Sequence, residues 1–240
     1  MGIDWQEAVF RDDLQMVTIG AVNDVAMRAG RVVLEHYHAR DTWVREKDDG
    51  SPVTGVDLAA EKIIREGLVR LDDTIPYVSE ECEPVPAYDV RRGWSRYWLV
   101  DPLDGTKEFV ARNGEFSVMI GLAIHGQAQL GVVYRPDGDI LYAGVVGQGA
   151  WMEMGGQHTP LTVIEPKSLV APTLAVSRSH RNPLLENICK GLGVEKEVSS
   201  GSVGLKIGLI ARGIADLYIA VSYTHLRAHE TRHDLVCRLL

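Results

Sequence analysis

A buried strand that ends in two carboxylates and a tight turn is the feature that most constrains this chain of 240 residues. The stretch WLVDPLDGTKEF, residues 98–109, begins with three apolar residues and is then broken by a proline and a glycine. Asp101 and Asp104 would repel each other there unless a divalent cation lay between them, and Mg2+ prefers oxygen ligands of this kind. Gly105 and Thr106 add backbone N–H groups of the type that holds phosphate. The stretch therefore predicts a metal-assisted phosphate site rather than an ordinary Asp-Gly surface turn.

The composition is that of an ordinary globular protein, with 45% hydrophobic and 24% charged residues. The net charge of -8 argues against binding to a nucleic acid polymer, which relies on a basic surface. A small anionic ligand is compatible with this charge because bound cations would reverse its sign locally. The amino terminus lacks a signal-peptide pattern, and no apolar run in the sequence is long enough to span a membrane. Together with three cysteines that lack metal-ligand spacing, these features predict a cytoplasmic protein with free thiols.

Periodicity predicts two amino-terminal helices followed by a sheet. Apolar residues at spacings of three and four indicate helices over about residues 5–39 and 58–71, and Thr54 or Asp57 can cap the second. Runs rich in Val, Ile and Leu after residue 115, separated by turns that contain glycine, predict an antiparallel sheet with helices on one side. We expect an α+β domain over residues 1–158 and a second, smaller α/β domain over residues 159–220.

The stretch at residues 98–109 also resembles the signature of the Mg2+-dependent, lithium-sensitive phosphatases related to inositol monophosphatase. Its ending KEF resembles the CysQ-type 3'(2'),5'-bisphosphate nucleotidases of that family, whereas the inositol-specific branch more often has Asn-Phe there. Further segments that resemble the family are residues 47–57 (K-x-D-x-S-P-V-T-x-x-D), 79–81 (S-E-E) and 201–218 (G-S-x-x-L-K-x-x-L-x-A-x-G-x-A-D-L-Y). The resemblance implies an α/β fold, the layered αβαβα sandwich of the inositol monophosphatase and fructose-1,6-bisphosphatase type, truncated at its carboxyl end.

The resemblance further implies the residues of a metal-dependent active site. Two or three Mg2+ ions would be held by the carboxylates of Glu80, Asp101 and Asp104 and by the backbone carbonyl of Leu103. Thr106, with Glu80 or Asp49, would orient and deprotonate the attacking water. The residues that would face the substrate are Gly105, Thr106, Ser177, His180, Ser202 and Lys206. From the residue pattern alone, Ser177 and His180 fit a helix-capping loop equally well, and Lys206 is an ordinary surface residue.

The implied reaction is the hydrolysis of a phosphate monoester by water. The nucleotidase branch implies that 3'-phosphoadenosine 5'-phosphate, the by-product of sulfate assimilation, is converted to AMP and phosphate. The alternatives within the family are inositol-1-monophosphatase and histidinol-phosphate phosphatase activity. The partner is then a small phosphate ester, and the chain would act as a monomer or a homodimer.

The resemblance stops after residue 220. The family continues into a Trp-Asp motif whose Asp completes the metal cluster, and this sequence has no Trp-Asp after Ala220. Residues 221–231, VSYTHLRAHET, are one reading frame of a transposon-type sequencing adapter, so we expect residues 221–240 to be a non-native tail. The rival interpretation, a metal site built from His225, His229 and His233, leaves that match unexplained. Without the motif we expect little or no turnover, which makes a non-catalytic metal- or phosphate-binding fragment the hypothesis of another class.

Overall fold

A computed structural model of the chain describes residues 9–12, 15–39, 44–46, 52–81, 84–162, 171–178 and 183–220. The helices in these ranges are α1 (Ile19–Ala39), α2 (Gly55–Leu71), α3 (Tyr88–Arg91), α4 (Thr106–Val110), α5 (Pro183–Gly191) and α6 (Val203–Ala211). The strands are β1 (Val9–Asp12), β2 (Gln15–Thr18), β3 (Val44–Glu46), β4 (Pro52–Thr54), β5 (Tyr77–Ser79), β6 (Arg96–Asp104), β7 (Ser117–Ile124), β8 (Gln127–Arg135), β9 (Ile140–Val145), β10 (Gly149–Met154), β11 (Gln157–Leu161), β12 (Thr173–Ser177), β13 (Lys196–Ser200) and β14 (Leu217–Tyr218). No helix in the described ranges is both long enough and apolar enough to cross a membrane.

Seven strands form the main sheet, in the order β11-β10-β9-β8-β7-β6-β5. Neighbouring strands are antiparallel, except that β5 and β6 run parallel with Ser79 opposite Val100. The two parallel strands run toward the same edge of the sheet. Glu80, which follows β5, therefore lies beside Asp101 of β6. The pairing of β5 with β6 thus brings acidic residues from two separate segments to one edge.

Helices cover both faces of this sheet. On one face, α1 and α2 pack against each other and share a single apolar core with Trp98 and Val100 of β6. On the other face, α6 lies so close that a Cβ atom on Gly204 would be 2.7 Å from Val133 Cγ1 and one on Gly208 would be 2.7 Å from Tyr142 Cζ. The prediction that helices lie on one side of the sheet only is wrong. Helix α6 can approach the second face because Gly204 and Gly208 have no side chains to keep it away.

The strands β12, β13 and β14 form a separate parallel sheet in the order β13-β12-β14. The apolar side of α5 packs on this sheet, where buried Cys189 contacts the cluster that contains Leu174 and Val176. The paired ends of β12 and β13, Ser177 and Ser200, lead directly to Arg178 and to the Gly201-Ser202 loop. Strand β11 extends the main sheet to Leu161, and the division into domains near residue 158 stays a prediction.

The prediction of one helix over residues 5–39 is wrong at its amino-terminal end. Strands β1 and β2 pair as an antiparallel hairpin, and α1 begins only at Ile19. The hydroxyl oxygen of Thr18 accepts a hydrogen bond from the Ala21 N–H at 3.3 Å, which satisfies a donor of the first turn. The second helix, α2, begins at Gly55, three residues before the predicted position.

Candidate active site

The carboxyl end of β6 carries the two central carboxylates. The pairing of β6 with β7 shifts between Asp101, opposite Met119, and Asp104, opposite Ser117, so that the β6 segment is one residue longer than its partner. Pro102 lacks an N–H group for the sheet, and the next N–H, that of Leu103, instead donates to Asp101 Oδ1 at 3.2 Å. Asp101 and Asp104 are only 2% and 5% exposed. The irregular end of β6 therefore places both carboxylates in the protein interior, and the strand continues through Pro102 to Asp104 instead of being broken at the proline as the sequence predicts.

Asp104 is held by donors from the start of α6. Its Oδ2 atom accepts hydrogen bonds from Ser202 Oγ at 2.5 Å and from the Gly204 N–H at 2.8 Å, and Ser117 Oγ lies 3.3 Å away. Ser202 is the N-cap of α6, because its hydroxyl oxygen also accepts the Leu205 N–H at 3.1 Å. The carboxylate thus lies at the positive end of a helix dipole, where negative charge is favoured.

A third buried carboxylate, Asp57, contacts the hydroxyl group of Thr106. Thr106 Oγ1 lies 3.2 Å from Asp57 Oδ1 and 3.1 Å from the Leu103 carbonyl oxygen. The other oxygen of Asp57 accepts the Thr54 N–H at 2.7 Å and the Thr54 hydroxyl at 2.6 Å, which completes the capping box of α2. Burial raises the pKa of Asp57, and the hydrogen bonds from Thr54 oppose this effect. Sequence reasoning identified Asp57 as a helix cap but did not include it among the site residues.

The proposed metal ligands come from neighbouring segments, but they do not form a compact cluster. Glu80 follows β5, its N–H donates to the Val100 carbonyl at 3.2 Å, and its side chain is exposed. The carbonyl oxygen of Leu103 contacts the Thr106 hydroxyl. Within the part of the chain that the structure describes, no three His, Cys, Asp or Glu side chains lie close enough together to hold a metal ion. The ligand set of Glu80, Asp101, Leu103 and Asp104 therefore stays a prediction.

Lys206 lies in the interior, which contradicts the prediction from periodicity that it is a surface residue. It is 1% exposed, and its ammonium group donates to the carbonyl oxygens of Ser200 at 3.2 Å and Gly201 at 3.5 Å. The Tyr218 ring lies 5.1 Å from Nζ, within the range of a cation–π contact. Burial lowers the pKa of Lys206, and the negative charge of Asp104 opposes this effect. A contact between Lys206 and the substrate stays a prediction.

Of the remaining predicted site residues, some lie within the described part of the chain and others lie outside it. Gly105 has a φ angle of 92° and forms the N-cap of α4, so the turn needs a residue that tolerates a left-handed backbone. Ser177 is the last residue of β12 and is half-buried. Asp49 and His180 lie outside the described residues, and so does the whole segment 221–240.

A salt bridge connects the loop before β7 with the second sheet. The Arg178 guanidinium donates to both Glu115 carboxylate oxygens, from Nε at 2.8 Å and from Nη2 at 2.5 Å. The Gly201 N–H donates to Glu115 Oε2 at 2.9 Å. These hydrogen bonds, foremost those from Arg178, lower the pKa of Glu115. Sequence analysis assigned no role to Glu115, since a lone Glu in a loop carries no signal of its own.

The model of the inositol monophosphatase family matches residues 13–230. The chain belongs to the inositol monophosphatase family. The predicted α/β fold is confirmed by the similarity to solved structures of this family, and family membership identifies the chain as a phosphatase of a metal-dependent class. The predicted resemblance to the family is thereby confirmed, although the match runs to residue 230 and so extends past residue 220, where the sequence analysis placed its end.

Individual relatives support the same assignment. The 3'(2'),5'-bisphosphate nucleotidase CysQ of Escherichia coli O157:H7 is 43% identical over 198 residues, which are 82% of this chain and 78% of that protein. The crystal structure of CysQ from Bacteroides thetaiotaomicron is 34% identical with a TM-score of 0.68, and the match covers 83% of this chain and 78% of that one. A structure of SaIMPase-II with bound 2'AMP is 26% identical with a TM-score of 0.67, covering 84% of this chain and 71% of that one.

Proposed function

We propose that this phosphatase is a Mg2+-dependent 3'(2'),5'-bisphosphate nucleotidase that converts 3'-phosphoadenosine 5'-phosphate to AMP and phosphate. The observation that carries the substrate is the similarity to proteins named CysQ. The ending Lys107-Glu108-Phe109 adds support, since the inositol-specific branch more often has Asn-Phe at that place. Glu108 is buried and accepts a hydrogen bond from the Asn113 side chain.

The residues proposed to hold Mg2+ are Glu80, Asp101 and Asp104 with the Leu103 carbonyl, and we propose two or three ions. This set consists of oxygen donors alone, which suits Mg2+. Two of its carboxylates are buried at the carboxyl end of the same strand. When bound, Mg2+ would stabilise charge on the phosphate and make hydroxide accessible near neutral pH.

Thr106 and Asp57 are proposed to handle the proton of the attacking water. If the Thr106 hydroxyl donates to Asp57 Oδ1, its oxygen is oriented to accept a hydrogen bond from water. The water proton then passes to Thr106 Oγ1 while the Thr106 proton passes to Asp57. The raised pKa of Asp57 favours this transfer, because a more basic carboxylate holds the proton better. The earlier assignment of Glu80 or Asp49 to this step stays a prediction.

The remaining parts of the proposal concern the substrate, the assembly and the cell compartment. Gly105, Thr106, Ser202 and Lys206 are proposed to face the phosphate ester, since the last two lie beside Asp104 in the fold. Ser177 and His180 are proposed as further contacts. We propose a monomer or homodimer in the cytoplasm, where the free thiol of buried Cys189 would remain reduced.

Parallel assays of phosphate release test the proposal. The purified chain is given 3'-phosphoadenosine 5'-phosphate, inositol 1-phosphate or histidinol phosphate, each with Mg2+ and again after removal of Mg2+ with a chelator. Because the sequence lacks the Trp-Asp motif, we expect little release, and we expect that release to depend on Mg2+ and to be greatest with the adenosine bisphosphate. A preference for another ester would overturn the substrate, and Mg2+ binding without release from any ester would support the binding-fragment hypothesis.

A further inference from the structure

The loop that holds Asp104 is itself held by a salt bridge. Ser202 and Gly204 supply two donors to Asp104, and Gly201 immediately precedes them in the chain. The N–H of Gly201 donates to Glu115, and the guanidinium of Arg178 donates to the same carboxylate with two hydrogen bonds. The Glu115 side chain therefore fixes the position of the loop directly before the residues that contact Asp104.

Glu115 also contacts the metal-binding turn through its backbone. A Cβ atom on Gly105, the residue between Asp104 and Thr106, would lie 2.8 Å from the Glu115 carbonyl oxygen. The same position would lie 3.5 Å from Ser202 Cβ. The Glu115 main chain therefore packs against the turn at Gly105, and the Glu115 side chain binds the loop at Gly201.

The charges around the pair favour this arrangement. Glu115 is 19% exposed and Arg178 47% exposed, so the carboxylate is the more buried partner and its charge is satisfied by Arg178 and Gly201. A bidentate contact between a guanidinium and a carboxylate is stronger and more directional than a single hydrogen bond. The Arg178 guanidinium also donates to the Ser199 carbonyl at 3.5 Å, and the backbone N–H of Arg178 donates to the Ser200 carbonyl at 3.3 Å. Both hydrogen bonds connect Arg178 to β13.

We propose that Glu115 and Arg178 are positioning residues of the metal site: they hold Gly201 so that Ser202 and Gly204 meet Asp104. This inference rests on the proposed function, because it takes Asp104 as a metal ligand. It goes beyond that function by assigning a role to two residues that are not among the proposed metal ligands or substrate contacts. Partners that orient a metal ligand commonly change metal affinity by roughly 10- to 100-fold when they are removed.

The test measures metal affinity and local protection rather than turnover. Mn2+ binding to the full chain is followed by electron paramagnetic resonance with Mg2+ as competitor, and amide hydrogen exchange is followed at Gly201 and Gly204. We expect Glu115→Ala to weaken Mn2+ affinity by at least about 10-fold and to accelerate exchange at both glycines. Arg178→Ala should have a smaller effect, since the Gly201 contact with Glu115 remains, and Arg178→Lys should be intermediate between Arg178→Ala and the parent.

Matched variants separate a positioning role from general destabilisation. Glu66→Ala removes an exposed salt bridge with Arg70 on α2 and should leave Mn2+ affinity and exchange at both glycines unchanged. The double variant Glu115→Ala/Arg178→Ala should match Glu115→Ala alone, because Arg178 acts through the Glu115 carboxylate. If Glu115→Ala fails to fold, Glu115→Gln keeps the shape and loses the charge, and should reproduce the loss of affinity in part.

The possible failures are distinguishable. Asp104→Asn should abolish tight Mn2+ binding, and a variant that binds as the parent does would overturn the role of Asp104 and the proposed function with it. If Asp104→Asn loses binding while Glu115→Ala and Glu115→Gln both retain the affinity of the parent, the positioning role alone is overturned. Additive effects of the two single substitutions would overturn the action of Arg178 through Glu115.

Discussion

Two buried carboxylates of the candidate site, Asp57 and Asp104, are held in opposite ways. The donors to Asp57 Oδ2 come from Thr54, three residues earlier in the same capping box. The donors to Asp104 come from Ser202 and Gly204, which lie 98 and 100 residues later in the chain. The wall of the site that contains Thr54 and Asp57 is therefore built by local chain geometry. The wall that contains Asp104, Ser202 and Gly204 is completed only when α6 packs on the main sheet.

This difference has consequences for stability. A capping box forms as soon as its helix forms, because both of its hydrogen bonds lie within four residues. The contacts of Asp104 depend on the packing of Gly204 against Val133, so they form and are lost with the tertiary structure. We therefore expect substitutions near Asp57 to change the chemical step or the stability of α2 alone. We expect substitutions near Asp104 to change how the second sheet and α6 pack against the main sheet.

The largest effect is expected at the Thr106 hydroxyl, which contacts Asp57 and the carbonyl oxygen of Leu103, the residue before Asp104. Thr106→Val should lower the rate of phosphate release by roughly 10²- to 10⁴-fold, the usual contribution of a positioned proton acceptor. Thr106→Ser keeps the hydroxyl and should retain most of the rate. The measurement is kcat in the phosphate-release assay with saturating Mg2+. Equal rates for the valine and serine variants would contradict the proposed proton path.

The next effect is expected at the wall that forms by tertiary packing. Ser202→Ala removes a hydrogen bond to the Asp104 carboxylate and the N-cap of α6, and should lower the free energy of unfolding by about 1.5–3 kcal/mol. Ser117→Ala removes a longer contact to the same oxygen and should cost less. Denaturant unfolding of both variants checks the order. A larger loss for Ser117→Ala would contradict the assignment of Ser202 as the main side-chain donor.

The same difference explains how much of the site could be predicted from sequence. The Asp-Pro and Asp-Gly breaks placed Asp101 and Asp104 at a strand end, because a strand and its turn are local features. The capping role of Thr54 and Asp57 was predicted for the same reason. The contact between Asp57 and Thr106 was missed, since the two residues are 49 positions apart on different elements.

Burial of charged residues was the harder problem. Lys206 follows the pattern of an exposed helical residue, yet it is buried because the Ser200 and Gly201 carbonyls and nearby acidic residues satisfy its charge. Glu115 was not singled out, because its partners Arg178 and Gly201 are 63 and 86 residues away. The fold itself was predicted through the family resemblance, whereas periodicity alone extended the first helix too far and placed helices on one face only.

A smaller effect is expected at the locally built wall. Thr54→Ala removes the cap of α2 and should lower the free energy of unfolding by about 1 kcal/mol. Because Ser202 and Gly204 still hold Asp104, Mn2+ affinity should stay close to that of the parent, unlike in Ser202→Ala. Unfolding and Mn2+ titration on the same preparations check both expectations. A loss of affinity as large as that of Ser202→Ala would show that the two walls are not independent.

The smallest effect is expected in the dependence of stability on pH at the Glu115–Arg178 pair. The pKa of Glu115 is lowered from its ordinary value of 4.5, so the folded state binds its proton less readily than the unfolded state. Its stabilising contribution is then fully present above pH 4.5 and disappears as the pH falls through the lower pKa of the folded state. The melting temperatures of the parent and Glu115→Gln should therefore differ by a constant amount between about pH 5.5 and 7 and converge in more acidic solution. A gap that stays constant throughout the acidic range would mean that the Glu115 charge does not hold the second sheet to the loop before β7.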